Sequence, residues 1–137
     1  MTWTEIDLAY LAGFVDGEGS ITIFRSGGRD HLRFDVYNTN QDILLWIKGV
    51  FGGRVHKIRT RDGWKSEYVW QIGHQQAANI LVSCLPYLKV KRLQAEIFIS
   101  HAATSVGRVG KSIPADIVPI RKALVTEIQR LNKRGSL

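Results

Sequence analysis

Leu8, Leu11, Ala12 and Val15 recur at intervals of three and four behind a Thr4–Asp7 start signal, and Gly17 and Gly19 close the run, a pattern that predicts a first helix. Strict alternation follows. Ser20 to Arg25 and His31 to Thr39 read as two strands around a Gly27-Gly28 turn, with Ile21 and Ile23 on one face. In the second strand Leu32, Phe34 and Val36 alternate against His31, Arg33, Asp35 and Tyr37. Asn40 can cap a second helix carrying Ile43, Leu44, Ile47, Val50 and Phe51 up to Gly52-Gly53. Arg54 to Arg61 and Lys65 to Ile72 then flank Asp62-Gly63, a hairpin signal, with Tyr68, Trp70 and Ile72 sharing a face. A third helix from about Gln75 to Leu85 ends against Pro86. A fourth from Lys91 to His101 carries Leu93, Ile97 and Phe98. Residues 104–116 are rich in Gly and Ser and read as a mobile loop before a last helix over 117–132, with Ile120, Leu124, Ile128 and Leu131.

The order is α-β-β-α-β-β-α followed by more helix, a repeat of one α-β-β plan within a single domain spanning 1–137. The fold class is therefore α+β. With hairpins supplying all strands, one mainly antiparallel sheet is expected, covered by helices on its Ile21, Phe34 and Tyr68 face and open on the other. That open face should display Thr22, Phe24, Ser26, His31, Arg33, Asp35 and Tyr37, with Arg29 at the turn. In the second hairpin Lys57, Arg59 and Arg61 are expected on it, opposite Lys65, Glu67 and Gln71. Such a set mixes residues that match base edges with cations that match phosphates.

Charge agrees with a polyanionic partner: 19 Lys and Arg against 12 Asp and Glu give +7. The longest apolar runs, such as Ile43 to Trp46, fall far short of the roughly 20 residues that span a bilayer, so a soluble protein without a membrane partner is expected. Met1 to Tyr10 has neither the basic start of a signal peptide nor the Arg-rich character of a transit peptide, and the N-terminus reads as mature. The lone Cys84 sits among Ile80, Leu81, Val82 and Leu85 as a small buried apolar group. Together with widely spaced His31, His56, His74 and His101 it offers no zinc set, and no phosphate-cradling glycine loop or other small-molecule cofactor motif occurs.

The chemistry lies at the end of the first helix. Ala9, Gly13 and Gly17 stand four residues apart and leave a shallow stripe along which a second helix could approach closely. Gly inside a helix costs about 1 kcal/mol relative to Ala, so Gly13 calls for a packing reason. The segment Leu11-Ala12-Gly13-Phe14-Val15-Asp16-Gly17-Glu18-Gly19 resembles the signature of the LAGLIDADG homing endonucleases, with Gly17 in place of Ala and Glu18 in place of the commoner Asp.

This resemblance implies an αββαββα endonuclease-like fold whose antiparallel sheet forms a DNA-binding saddle. It implies metal-dependent, sequence-specific cleavage of double-stranded DNA. With one motif per chain it implies a homodimer, paired through Ala9, Ala12, Gly13, Asp16 and Gly17, that recognises a long near-palindrome. Glu18 is then the catalytic metal ligand, with the Gly17 carbonyl beside it, and Mg²⁺ or another divalent cation such as Mn²⁺ is the expected cofactor. Asp16 reads better as a carboxylate that bonds backbone at the helix end or across the pair. Pro86-Tyr87-Leu88-Lys89-Val90-Lys91 is similar to the family's stretch bearing an active-site lysine, which makes Lys91 catalytic. Asn38 matches a polar position that holds active-site water.

A chain that starts at Met1, without splicing residues, reads as free-standing rather than an intein. Such family members are encoded within introns, in organelles or in prokaryotic cytoplasm. Two other readings remain: an intron RNA maturase, and a non-catalytic DNA-binding regulator on the same scaffold.

Overall fold

The computed structural model describes residues 3–58, 66–107 and 111–133. The chain runs α1 (Glu5–Glu18), β1 (Gly19–Ser26), β2 (Arg29–Asn38), α2 (Gln41–Phe51), β3 (Arg54–Ile58), β4 (Glu67–Gly73), α3 (His74–Cys84), a 3-10 turn (Leu85–Tyr87), α4 (Arg92–Ala103) and α5 (Val118–Asn132). Both expected caps are in place. Thr4 Oγ1 accepts the Asp7 N–H at 3.1 Å, and Asn40 Oδ1 accepts that of Ile43 at 3.2 Å. Gly27 and Gly28 adopt φ of 61° and 75° between the paired Ser26 and Arg29, the left-handed pair that a two-residue hairpin turn requires.

The strands form one antiparallel sheet in the order β1-β2-β4-β3. The two hairpins thus meet through β2 and β4, and the α-β-β repeat becomes an approximate two-fold about the sheet centre. One face carries Ile21, Ile23, Leu32, Phe34, Val36, Trp70 and Ile72. These pack with Leu8, Leu11, Ala12 and Val15 of α1, Leu44, Ile47 and Phe51 of α2, and buried residues of α3, α4 and α5. Phe34 meets Trp70 edge to face at 5.1 Å, and the indole N–H donates to the Gly52 carbonyl at 2.7 Å. Cys84 is buried here, which pushes its thiol up to about 12. No helix among the described residues is long and apolar enough to cross a membrane.

The tip of the first hairpin is tied down from below, because His101 of α4 lies 2.7 Å from the Asp30 carboxylate, whose other oxygen accepts from Arg25 at 3.0 Å. Burial opposes the charge on Asp30. The His101 and Arg25 contacts outweigh it and hold that carboxyl below its ordinary range. At the outer edge, Asn132 of α5 donates from Nδ2 to the Ile21 carbonyl of β1 at 2.8 Å. Of the expected 104–116 loop, Thr104 and Ser105 are fixed by hydrogen bonds from the Arg121 guanidinium, both at 2.7 Å, and residues 108–110 lie outside the described residues.

Helix α1 turns straight into β1, and a Cβ at Gly19 would lie 2.8 Å from the Val15 backbone. Gly19→Ala should therefore destabilise the fold by roughly 1–3 kcal/mol through overpacking. Urea unfolding is the measurement, and an unchanged midpoint would contradict this account of the junction.

Candidate active site and nucleic-acid interface

Helix α1 brings two acids to its own C-terminus, where the helix dipole disfavours negative charge, and it has no basic residue in its last turn. The compensation comes from the chain after α3. Lys91 Nζ donates to the carbonyls of Val15 and Asp16 at 3.1 and 3.0 Å, while the Asp16 carboxylate accepts the backbone N–H groups of Lys89 and Lys91 at 2.8 and 3.0 Å. Partial burial works against the charge on Asp16. These backbone donors, with that of Val90 and the Lys91 ammonium, outweigh it and lower the carboxyl below its usual value.

Glu18 ends the helix exposed, with no hydrogen bond or ion pair to its carboxylate among the described residues. The ladder pairs Gly19 with Val36, two residues from Asn38, so Glu18, Asn38 and Lys91 gather at one end of the sheet. Asn38 is already engaged: its Oδ1 accepts the Asn40 N–H at 2.8 Å, the turn that feeds the α2 cap.

The register sorts the strands onto two faces, since directly opposed residues share a side. Thr22 stands opposite Arg33 and Phe24 opposite His31. Asp35 faces Gln71, which faces Arg54, and Tyr37 faces Val69, which faces His56. With Ser26, Arg29 and Glu67 these form the face that no core helix covers. Phe24 stacks on His31 at 5.0 Å, and the His31 ring nitrogen Nε2 lies 3.1 Å from the Ser26 carbonyl. The exposed stripe of α1 lies elsewhere: Ile6, Ala9, Tyr10, Gly13 and Gly17 are open, and a Cβ at Gly13 or Gly17 would meet nothing within 4 Å.

No protein-family model matches the chain. The DNA endonuclease I-CvuI of Chlorella vulgaris is 31% identical over 104 residues, 69% of this chain, and the match spans 63% of that relative's length. Among solved structures, an archaeal intron-encoded homing endonuclease, I-Vdi141I in complex with DNA, shares the fold with a TM-score of 0.78 and 22% identity, covering 96% of this chain and 87% of that one. I-CvuI bound to the uncleaved I-CreI target gives a TM-score of 0.75 at 22% identity, covering 96% and 85%. The chain has the fold of the LAGLIDADG homing endonucleases.

Within this fold several residues take positions the sequence did not anticipate. Lys57 stands opposite Tyr68 on the helix-covered side, so Arg54 and His56, not Lys57, represent β3 on the open face. Their signal was Val55, whose inward side chain opposite Trp70 fixes the parity of that short strand. Asp35 has the open-face parity but is only 3% exposed and accepts from Arg33 and Tyr37 at 3.3 and 3.4 Å. Burial is the largest influence on its carboxyl and raises it, against the opposing pull of Arg33, Tyr37 and Gln71. Ala12 is fully buried in the core and leaves the stripe to its neighbours, and Asp16 is spent on its own chain's backbone. Arg59, Arg61 and Lys65 lie outside the described residues.

Because the Asp16 carboxyl is lowered from 3.8, its stabilising charge is fully present above that pH and is lost as pH falls through the still lower folded value. Asp16→Asn should cost roughly 1–3 kcal/mol at neutral pH by leaving a backbone donor poorly satisfied. The gap between wild type and variant should then narrow below about pH 4, where the wild-type carboxyl also becomes neutral. Denaturant titrations between pH 7 and pH 3 measure this, and a constant gap would contradict the assignment.

Proposed function

We propose that this chain is a sequence-specific double-strand DNA endonuclease that acts as a homodimer on a long near-palindromic site, hydrolysing phosphodiester bonds with a divalent cation. The observation that carries the reading is the exposed, unengaged Glu18 delivered by the motif-bearing α1 to the end of an uncovered, polar, cation-rich sheet face. The net charge of +7 supplies the long-range attraction for the polyanion. The relatives named above are DNA endonucleases, two of them described in DNA complexes.

Helix α1 supports pairing because it is apolar on both sides: Leu8, Leu11 and Val15 enter the core while Ile6, Ala9, Tyr10 and Gly13 face out. A helix hydrophobic all round belongs in an interior. A second copy laid along the small-residue stripe by two-fold symmetry supplies that interior and brings a second Glu18 beside the first.

The oxygen donors fit Mg²⁺. Among the described residues no three His, Cys, Asp or Glu side chains of one chain enclose a metal, and Mg²⁺ characteristically uses one or two carboxylates together with phosphate oxygens and water. Glu18 and the Gly17 carbonyl are its ligands in this reading, and related structures were obtained with Mg and with Ca. When bound, the cation supplies activation of water and stabilisation of the leaving oxygen. Lys91 holds the end of α1 so that Glu18 keeps its direction, and its ammonium adds positive potential near the scissile phosphate. The open-face side chains orient the duplex, with Arg54 and His56 on the β3 side and Thr22 and Arg33 on the β1 side.

Glu18→Gln should reduce cleavage of a selected target by about 100-fold or more, the scale of losing a charge-stabilising group at the reacting centre, while specific binding persists. Cutting at wild-type rate would refute the role of Glu18, and binding without cutting by the wild type under every divalent cation would favour a regulator. Gly13→Arg, at a position with no neighbour in the single chain, should leave folding intact and dissociate the dimer in sedimentation velocity. A dimeric, fully active Gly13→Arg protein would exclude pairing along this stripe.

A further inference from the structure

Among the described arginines of the open face, Arg33 has its direction set by both a carboxylate and an aromatic ring. Its Nη2 lies 3.3 Å from Asp35 Oδ2, and its guanidinium carbon stands 5.5 Å from the centre of the Phe24 ring, which is itself stacked on His31. Tyr37 donates its hydroxyl to the same Asp35 oxygen. The Asp35 side chain is 4% exposed and that of Arg33 45%, so the carboxylate is inaccessible while the cation is presented. Across the ladder Arg33 has Thr22 on one side and Gly73 on the other, and Gly73 carries no side chain to crowd it. Phe24, Arg33 and Asp35 together line both hollows of the open face and form the ridge between them.

Burying a carboxylate under a solvent-facing surface is costly, and among the described residues Asp35 Oδ1 finds no well-placed hydrogen-bond partner. What the burial secures is the orientation of Arg33. An ion pair of this kind is nearly neutral at long range and so is a poor anchor for phosphate. Base-edge recognition needs direction rather than net charge: a planar guanidinium offers two parallel N–H groups that match guanine O6 and N7 in the major groove. One of its five N–H donors is spent on Asp35, which leaves an outward edge for the base.

Resting on the DNA-cutting reading, we propose that Arg33 is a specificity-determining residue that reads one guanine in each half of the target, and that Asp35, with Phe24, is its positioning residue. A symmetric dimer then specifies two guanines on opposite strands, related by the centre of the site.

The experiment is selection of bound sequences from a randomised duplex library, followed by competition binding of the consensus and its single-base variants over a range of salt. Wild type, Arg33→Ala and Asp35→Asn are compared. Wild type should yield a symmetric consensus, and Arg33→Ala should lose about tenfold or more of its guanine preference at one position per half-site while the other positions and the salt slope hold. Asp35→Asn should relax the same position and leave the others sharp, which a merely structural defect would not do.

Arg33→Ala binding that weakens equally for all sequences, with a shallower salt dependence, would make Arg33 a phosphate anchor and overturn the proposal. So would an unchanged consensus. Relaxation of every position by Asp35→Asn would overturn the positioning role even if Arg33 reads the base. A wild-type protein that enriches no sequence would overturn the DNA-cutting reading as well, whereas a clear consensus indifferent to Arg33 would overturn only this inference.

Discussion

The end of α1 is held by a reciprocal exchange between segments some 75 residues apart: the Asp16 carboxylate receives the backbone of Lys89 and Lys91, and the Lys91 ammonium receives the carbonyls of Val15 and Asp16. Each half answers a deficit in the other. A helix terminus with acids and no cation of its own would fray, and the irregular link between α3 and α4 would leave N–H groups without acceptors. Together they fix the last turn of the helix and the direction in which Gly17 and Glu18 leave it. Gly19 removes the remaining freedom, because only the absence of a side chain lets the backbone turn into β1 against Val15. The position of the acidic tip thus follows from packing around it.

Much of this was legible in the sequence because it was written in local terms. Alternation in Leu32, Phe34 and Val36, the Thr4 and Asn40 caps and the Gly27-Gly28 turn each depend on neighbours a few residues away, and each appears where periodicity put it. The motif marked Glu18 as the residue to watch. What local patterns could not reveal were consequences of pairing at a distance. Lys57 lies on the helix side because the inward Val55 opposite Trp70 sets the parity of a five-residue strand too short to declare its own period. Asp35 reads as one more polar residue in an alternating strand, and only the arrangement of Arg33, Tyr37 and Gln71 around it submerges it. Leu93 and Ile120 count as apolar in the helical pattern yet are more than half and half exposed, at 58% and 50%.

The two faces of the sheet handle ionisable groups in opposite ways. On the helix side Asp30 is buried against His101 and Arg25, and its contacts keep it charged while they lock the tip of the first hairpin to α4. On the open side Asp35 is buried with too few donors to offset the lost solvation, and burial prevails. The first arrangement makes the hairpin a rigid platform. The second stores an electrostatic cost directly beneath the surface that meets solvent, where a fixed guanidinium is the visible return.

The hydrogen bond from Asn132 to the Ile21 carbonyl has a bearing on assembly. β1 is a terminal strand of the sheet, and its outward carbonyls would otherwise template the addition of a foreign strand. With α5 fastened along that margin, strand-to-strand growth into open-ended ribbons is obstructed there, which leaves the helices as the surface for the pairing proposed above. Such a protein can be strongly self-complementary and still stop at a closed, finite particle.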